Sequence, residues 1–227
     1  MSKRVRARPL PLLLGALLMA SAAAAQDADR PARGVHVIGR ETPTKPPDRG
    51  AESKGDAAPI PASPQLKNSV GLTFDVLPGP NVTTGSKMSF RIGANKPGYV
   101  IIVDVDASGK TTQIYPNALS SASQPDRNEN VNKIAAGAAL VIPPANSKFY
   151  EFVASPPAGV GMAMAIYSEI PLQVIDLPDV PAALLGRADA ATFLRDAAKD
   201  LRFIPADGSA DFRSPDLSFA ARFYAVR

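Results

Sequence analysis

After residue 68 apolar and polar residues alternate with a period of two, as strands do when one face is turned to a core. Leu72, Phe74 and Val76 keep that period and stop at Pro78-Gly79-Pro80, since proline has no N–H to give a ladder. Met88, Phe90 and Ile92 repeat it after Thr83-Thr84-Gly85. Val100-Ile101-Ile102-Val103 is apolar on both faces and reads as a central strand covered on both sides. Asp106-Ala107-Ser108-Gly109 then turns the chain into Thr112-Gln113-Ile114-Tyr115, which ends at Pro116-Asn117, so the pair reads as a hairpin. Asp104, inside its first strand, is expected to point to solvent or pair locally. Further strands are predicted at Ala139 to Ile142, Phe149 to Val153 and Met162 to Tyr167, with breaks at Pro143-Pro144 and Pro156-Pro157, for about seven strands.

From Pro181 the period changes. Leu184, Ala188, Ala191, Leu194, Ala198 and Leu201 recur at helical spacing, which predicts one amphipathic helix near 181–202, capped by Asp179 and packed on its own sheet. Leu217, Phe219, Ala221, Phe223 and Ala225 then fall on one side of an alternating C-terminal strand. Every Phe and Tyr lies after residue 68. Residues 69–227 can bury roughly 70% of their unfolded surface, enough for one core. The fold class expected is mainly β: an immunoglobulin-like antiparallel β-sandwich with one packed C-terminal α-helix.

Two appendages precede that domain. Lys3, Arg4, Arg6 and Arg8 lead into an apolar run from Leu10 to Met19 and then Ala20-Ser21-Ala22-Ala23-Ala24-Ala25, the order of a secretory signal peptide with Ala23-x-Ala25 as its cleavage motif. The apolar run is shorter than the roughly 20 residues of a bilayer-spanning helix. Residues 1–25 are therefore expected to be removed, leaving no stable membrane anchor, and the unpaired arginines favour the general secretion route to the periplasm or the medium. Residues 26–68 hold seven prolines among mixed charges and no aromatic residue, and read as a disordered linker. Only Val35-His36-Val37-Ile38 interrupts it, a patch that could add a strand to a partner's sheet edge but reads more simply as an apolar accident in a tail.

Charge and composition narrow the chemistry. The 25 Lys and Arg exceed the 21 Asp and Glu, yet losing the four basic residues of the leader balances them, so a basic footprint for nucleic acid disappears. Without Cys there is no disulfide, thiol nucleophile or thiolate metal site. The single histidine, His36, sits in the tail, so no metal and no cofactor are expected. Asp104-Val105-Asp106-Ala107-Ser108-Gly109 starts like a calcium loop, but its twelfth position is Tyr115 where a bidentate Glu belongs, and a hairpin turn is the better reading. No Gly-x-Ser-x-Gly, Ser-x-x-Lys, Walker or His-Glu-x-x-His motif occurs, and no catalytic residue is assigned.

Gly98-Tyr99 leading into an apolar strand, the Asp106–Gly109 turn, Ile114-Tyr115-Pro116-Asn117, Gly137 with Ile142-Pro143, and Pro157-x-Gly159 before a strand ending in Ser168 together resemble one bacterial family. It is the "domain of unknown function" family numbered four-three-eight-four, and the resemblance covers roughly residues 70 to 170. It implies an all-β, immunoglobulin-like domain found in exported proteins and beside kinase-like or caspase-like modules. It implies no catalytic residues, and no kinase or peptidase module accompanies the domain in this chain.

The signature residues have structural tasks of their own, Gly109 in a positive-φ turn and Pro116-Asn117 at a strand end. Residues for contact with a ligand or partner are Tyr99, Tyr115 and Asn117, with Asp126, Arg127 and Glu129 in the polar insertion from Ser120 to Asn132. The function expected is a noncatalytic, exported protein-interaction or accessory module of the cell envelope, as part of a secretion or surface assembly with an envelope protein as partner. The alternatives are a small-ligand or glycan-binding sandwich using Tyr99, Tyr115 and the polar loop, and a periplasmic hydrolase with a carboxylate site.

Overall fold

The computed structural model describes residues 34–39, 59–122, 130–172, 174–200 and 216–227. The leader and most of the Pro-rich tail lie outside the described residues, as do Asp126, Arg127 and Glu129. Eleven strands are described: β1 (Gly34–Gly39), β2 (Thr73–Leu77), β3 (Asn81–Val82), β4 (Lys87–Gly93), β5 (Gly98–Val105), β6 (Thr111–Tyr115), β7 (Lys133–Ile134), β8 (Ala139–Ile142), β9 (Tyr150–Ser155), β10 (Gly159–Ser168) and β11 (Ser218–Val226). Helices α1 (Ala118–Ala122) and α2 (Ala188–Asp200) and a 3₁₀ turn at Ala182–Leu184 complete them.

Two sheets form a β-sandwich. The first runs β1-β9-β4-β2, with β8 also paired to β4; the second runs β3-β11-β10-β5-β6, with β7 also paired to β5. All pairs are antiparallel except β3 with β11, a parallel pair of two residues. β5 and β6 form the expected hairpin, with a bulge between Ile102 and Val103. The strands β2, β6, β8 and β9 each end at a proline, as the breaks in the pattern predict. The two-residue strands β3 and β7 lie below the length at which an alternation can be read.

Alternation explains where the core sits. On β5, Val100 and Ile102 face the first sheet while Ile101, Val103 and Val105 face the other way. The inter-sheet core is built on Phe74, Phe90 and Phe152: the first two rings stack with centroids 5.4 Å apart, and Phe152 meets Phe90 tilted by 55° at 5.8 Å. A second apolar layer lies on the outer face of the second sheet, where Met162, Met164, Ile166, Phe219 and Phe223 are covered by Leu172, Ile175, Leu177, Val180 and α2. Helix α2 buries Ala190 together with Ala191, Leu194 and Ala198 of the expected stripe, while Ala188 is exposed, Leu184 lies in the preceding 3₁₀ turn and Leu201 lies outside the described residues. The both-sides-apolar pattern of β5 thus follows from a helix on one face and a sheet on the other.

Three expectations about the elements need correction. The helix begins at Ala188, because Asp179 does not cap it: Asp179 Oδ1 accepts the Thr111 N–H at 2.8 Å, and the Val180 N–H donates to the Gly109 carbonyl at 2.7 Å. Residues 178–180 are thereby tied to the β5–β6 turn, and the chain makes a 3₁₀ turn before α2. The polar insertion opens with helix α1 and closes on buried Asn132, whose amide donates to the Leu172 carbonyl at 2.7 Å, so it is anchored at both ends. The third correction is the tail: Val35-His36-Val37-Ile38 forms β1 at the edge of the first sheet, and Ile60 and Leu66 pack on the outer layer, so the folded body reaches well before residue 69.

Candidate functional site

Asp104 interrupts an otherwise apolar strand. The expectation that it points to solvent or pairs locally does not hold. It lies two residues after Ile102, so the period of β5 turns it inward, between the sheets, where it is 3% exposed. Two strands from opposite ends of the chain meet it there. The Tyr224 hydroxyl, on β11, donates to Asp104 Oδ1 at 2.7 Å, and the Val35 N–H, on β1, donates to Oδ2 at 2.9 Å. In an antiparallel ladder a residue sends its N–H and C=O to the same side, so Val35, paired with Ala154 of β9, turns its N–H away from β9 toward β5. The carboxyl therefore bridges the two sheets where β1 comes alongside β5 and β6.

Two glycines make room for this bridge. Gly34 has φ +74°, and a Cβ on it would stand 2.5 Å from Asp104 Oδ2 and 2.8 Å from Asp106 Cβ. Gly161 lies opposite Tyr224 on β10, and a Cβ there would meet the phenol ring at 2.6 Å. The tyrosine can reach Asp104 because its neighbour has no side chain.

Burial pushes the Asp104 carboxyl up to about 7; the Val35 and Tyr224 hydrogen bonds pull the other way, and the charge of Asp106 adds to the rise. Burial, and then the adjacent Asp104, also push the Tyr224 phenol well up. A protonated Asp104 keeps both contacts, with one oxygen accepting from Val35 and the other donating to the Tyr224 oxygen. Asp106 follows the last residue of the same strand and is 2% exposed. Its Oδ1 accepts from the Ser108 N–H at 2.8 Å, the Ser108 hydroxyl at 2.6 Å and the Lys110 N–H at 3.0 Å, which shapes the turn, while Oδ2 is buried without a hydrogen-bond partner. Among the described residues no three His, Cys, Asp or Glu side chains gather into a metal-binding group.

The residues chosen from the sequence are placed elsewhere. Tyr115 is buried on β6 and donates its hydroxyl to the Val131 carbonyl at 2.6 Å, and burial raises its phenol above the ordinary range. Asn117 stands at the start of α1, where its Oδ1 accepts the Ser120 N–H at 2.8 Å and its amide donates to the Ile114 carbonyl at 2.6 Å. Tyr99 is half-buried at the start of β5, beside Lys133 and Ser168 in the ladders. Tyr115 and Asn117 thus hold the end of β6 and α1 in place. Asp104 is not among those residues, although an acid at an inward position of a central strand is signal enough to find it.

Residues 81–171 match the family model described as Domain of unknown function (DUF4384), the family that the sequence resembles. The matched segment contains Asp104 and β9, but neither Val35 nor Tyr224, the two residues that donate to Asp104. No curated protein and no solved structure matches the chain.

Proposed function

We propose that the chain is an exported, noncatalytic interaction module of the bacterial cell envelope whose folded body works by gripping an extended strand along the edge of β9. The observation that carries this reading is the seating of β1. A short segment far from β9 in sequence is held there by backbone pairing from Gly34 to Gly39 and by one side-chain anchor, Asp104. Strand addition of this kind obtains affinity from the ladder and selectivity from a few pockets. The selectivity here is for a glycine, where a Cβ would strike Asp104, followed by an apolar residue that enters the core as Val35 does. The export part rests on the order of basic, apolar and small residues from Lys3 to Ala25.

Two experiments test the reading. Protein recovered from a periplasmic extract should begin at Gln26; recovery only in the cytoplasm, with Met1 or Ser2 first, refutes export. Gly34→Ala should unseat β1 while the sandwich stays folded, and a labelled peptide of sequence Gly-Val-His-Val-Ile-Gly should then bind the variant more tightly than the wild type. A folded Gly34→Ala variant that still protects residues 34–39 from protease, or an unseated one that ignores the peptide, contradicts strand gripping.

A further inference from the structure

The β1 seat is filled by a strand of the same chain, and the way that strand is attached suggests who else can fill it. Val35 is the one side chain of β1 described as fully buried, with Val37 partly buried against the same core. Residues 40–58 separate β1 from the next described residue, Pro59. At about 3.3 Å per residue that length of chain spans at most roughly 65 Å. A domain of this size has a radius of gyration of roughly 16 Å, so it is about 40 Å across. The tether is thus long enough to deliver β1 to the same edge of a neighbouring molecule.

We infer that β1 is exchangeable between copies: Gly34–Gly39 of one molecule seats on β9 of a second, which returns its own β1, giving a reciprocal dimer. The inference rests on the strand-gripping reading and names the partner of that same site. A second copy supplies the required features by identity: a glycine where Cβ has no room, Val35 to enter the core, and the N–H that Asp104 accepts. It also resolves an edge. With β1 withdrawn, Tyr150–Ser155 would present a bare ladder of N–H and C=O groups, which sheet proteins do not leave uncovered. Exchange covers both edges with the contacts already seen. Because those contacts are the same within one chain and between two, the effective concentration set by the intervening length of chain decides the balance, on the order of 1 mM. The dimer therefore grows in as protein concentration approaches that value.

The absence of native cysteine gives a clean test. Ile38 and Glu151 are register partners across β1 and β9. Full-length Ile38→Cys and Glu151→Cys chains are mixed at several concentrations and oxidised, and the disulfide-linked peptide pair joining positions 38 and 151 is quantified by mass spectrometry. A chain carrying both substitutions, oxidised when dilute, reports seating within one molecule. The expected result is an intramolecular link in the double variant, and a link between the two single variants that rises at least tenfold as concentration goes from about 10 µM to about 1 mM. An efficient internal link with no such link between copies overturns exchange and leaves strand gripping standing. Failure of the internal link as well shows that β1 does not occupy the β9 edge, which overturns both.

Discussion

Replacing Asp104 with Asn should remove most of the pH dependence of stability between pH 5 and pH 8. Asp104 holds its proton up to about pH 7 in the folded protein, against an ordinary value of 3.8. The folded state therefore binds this proton more tightly than the unfolded chain does between those two values, so stability is greatest at low pH, declines as pH rises, and levels off above 7. With 1.36 kcal/mol for each pH unit of differential binding, the loss between pH 5 and pH 8 is roughly 2.5 kcal/mol. Asn reproduces the protonated acid: its oxygen accepts from Val35 and its amide donates to the Tyr224 oxygen. The variant should fold, and its stability should stay nearly flat over that range. The assay is urea denaturation at half-unit steps of pH for both proteins. Taking the difference between them removes the contribution of every titrating group that the two proteins share. Parallel curves, with no divergence near 2 kcal/mol, would refute the argument that a buried carboxyl couples the sheets.

Other outcomes follow from the same contacts. Tyr224→Phe leaves the Asp104 oxygen without its hydroxyl donor, which should cost about 1–3 kcal/mol, most of it at pH 8, and should move the midpoint of the pH dependence upward; an unchanged midpoint contradicts the contact. Leu194→Ala, at the fully buried centre of the α2 stripe, should lower unfolding stability by about 2–5 kcal/mol, and a loss below 1 kcal/mol would mean that α2 does not seal the outer layer. Tyr115→Phe should cost about 1 kcal/mol in thermal denaturation by freeing the Val131 carbonyl, with no change in the pH profile. A changed profile would tie Tyr115 to Asp104, which the geometry does not.

Much of the sandwich can be read from local pattern because β2 and β4 carry their own alternation and β2, β6, β8 and β9 stop at a proline. The two-sided apolarity of Val100 to Val103 announces both a facing sheet and a covering layer, and Ala191, Leu194 and Ala198 supply that layer. What local pattern misses depends on partners far away in sequence. β1 looks like an accident in a proline-rich tail because its six residues have meaning only against β9. Asp179 looks like a helix cap until Thr111, 68 positions earlier, takes its oxygen. Asp104 and Tyr224 are 120 positions apart, and no periodicity links them. The inward phase of Asp104 is nonetheless present in the sequence, since Val100 and Ile102 fix which side of β5 faces the core. Tyr115 and Asn117 stand out in the chain because they hold a strand end and a helix start, tasks that mark a residue as strongly as a binding role does.

The most direct test of the central claim follows two NMR signals in one titration: the side-chain carboxyl carbon of Asp104 and the backbone amide of Val35. If Asp104 is the buried bridge that holds β1 to the sandwich, both signals shift together with a midpoint near 7. A carboxyl that titrates near pH 4, with a Val35 amide that exchanges freely with water and is indifferent to it, would contradict the account.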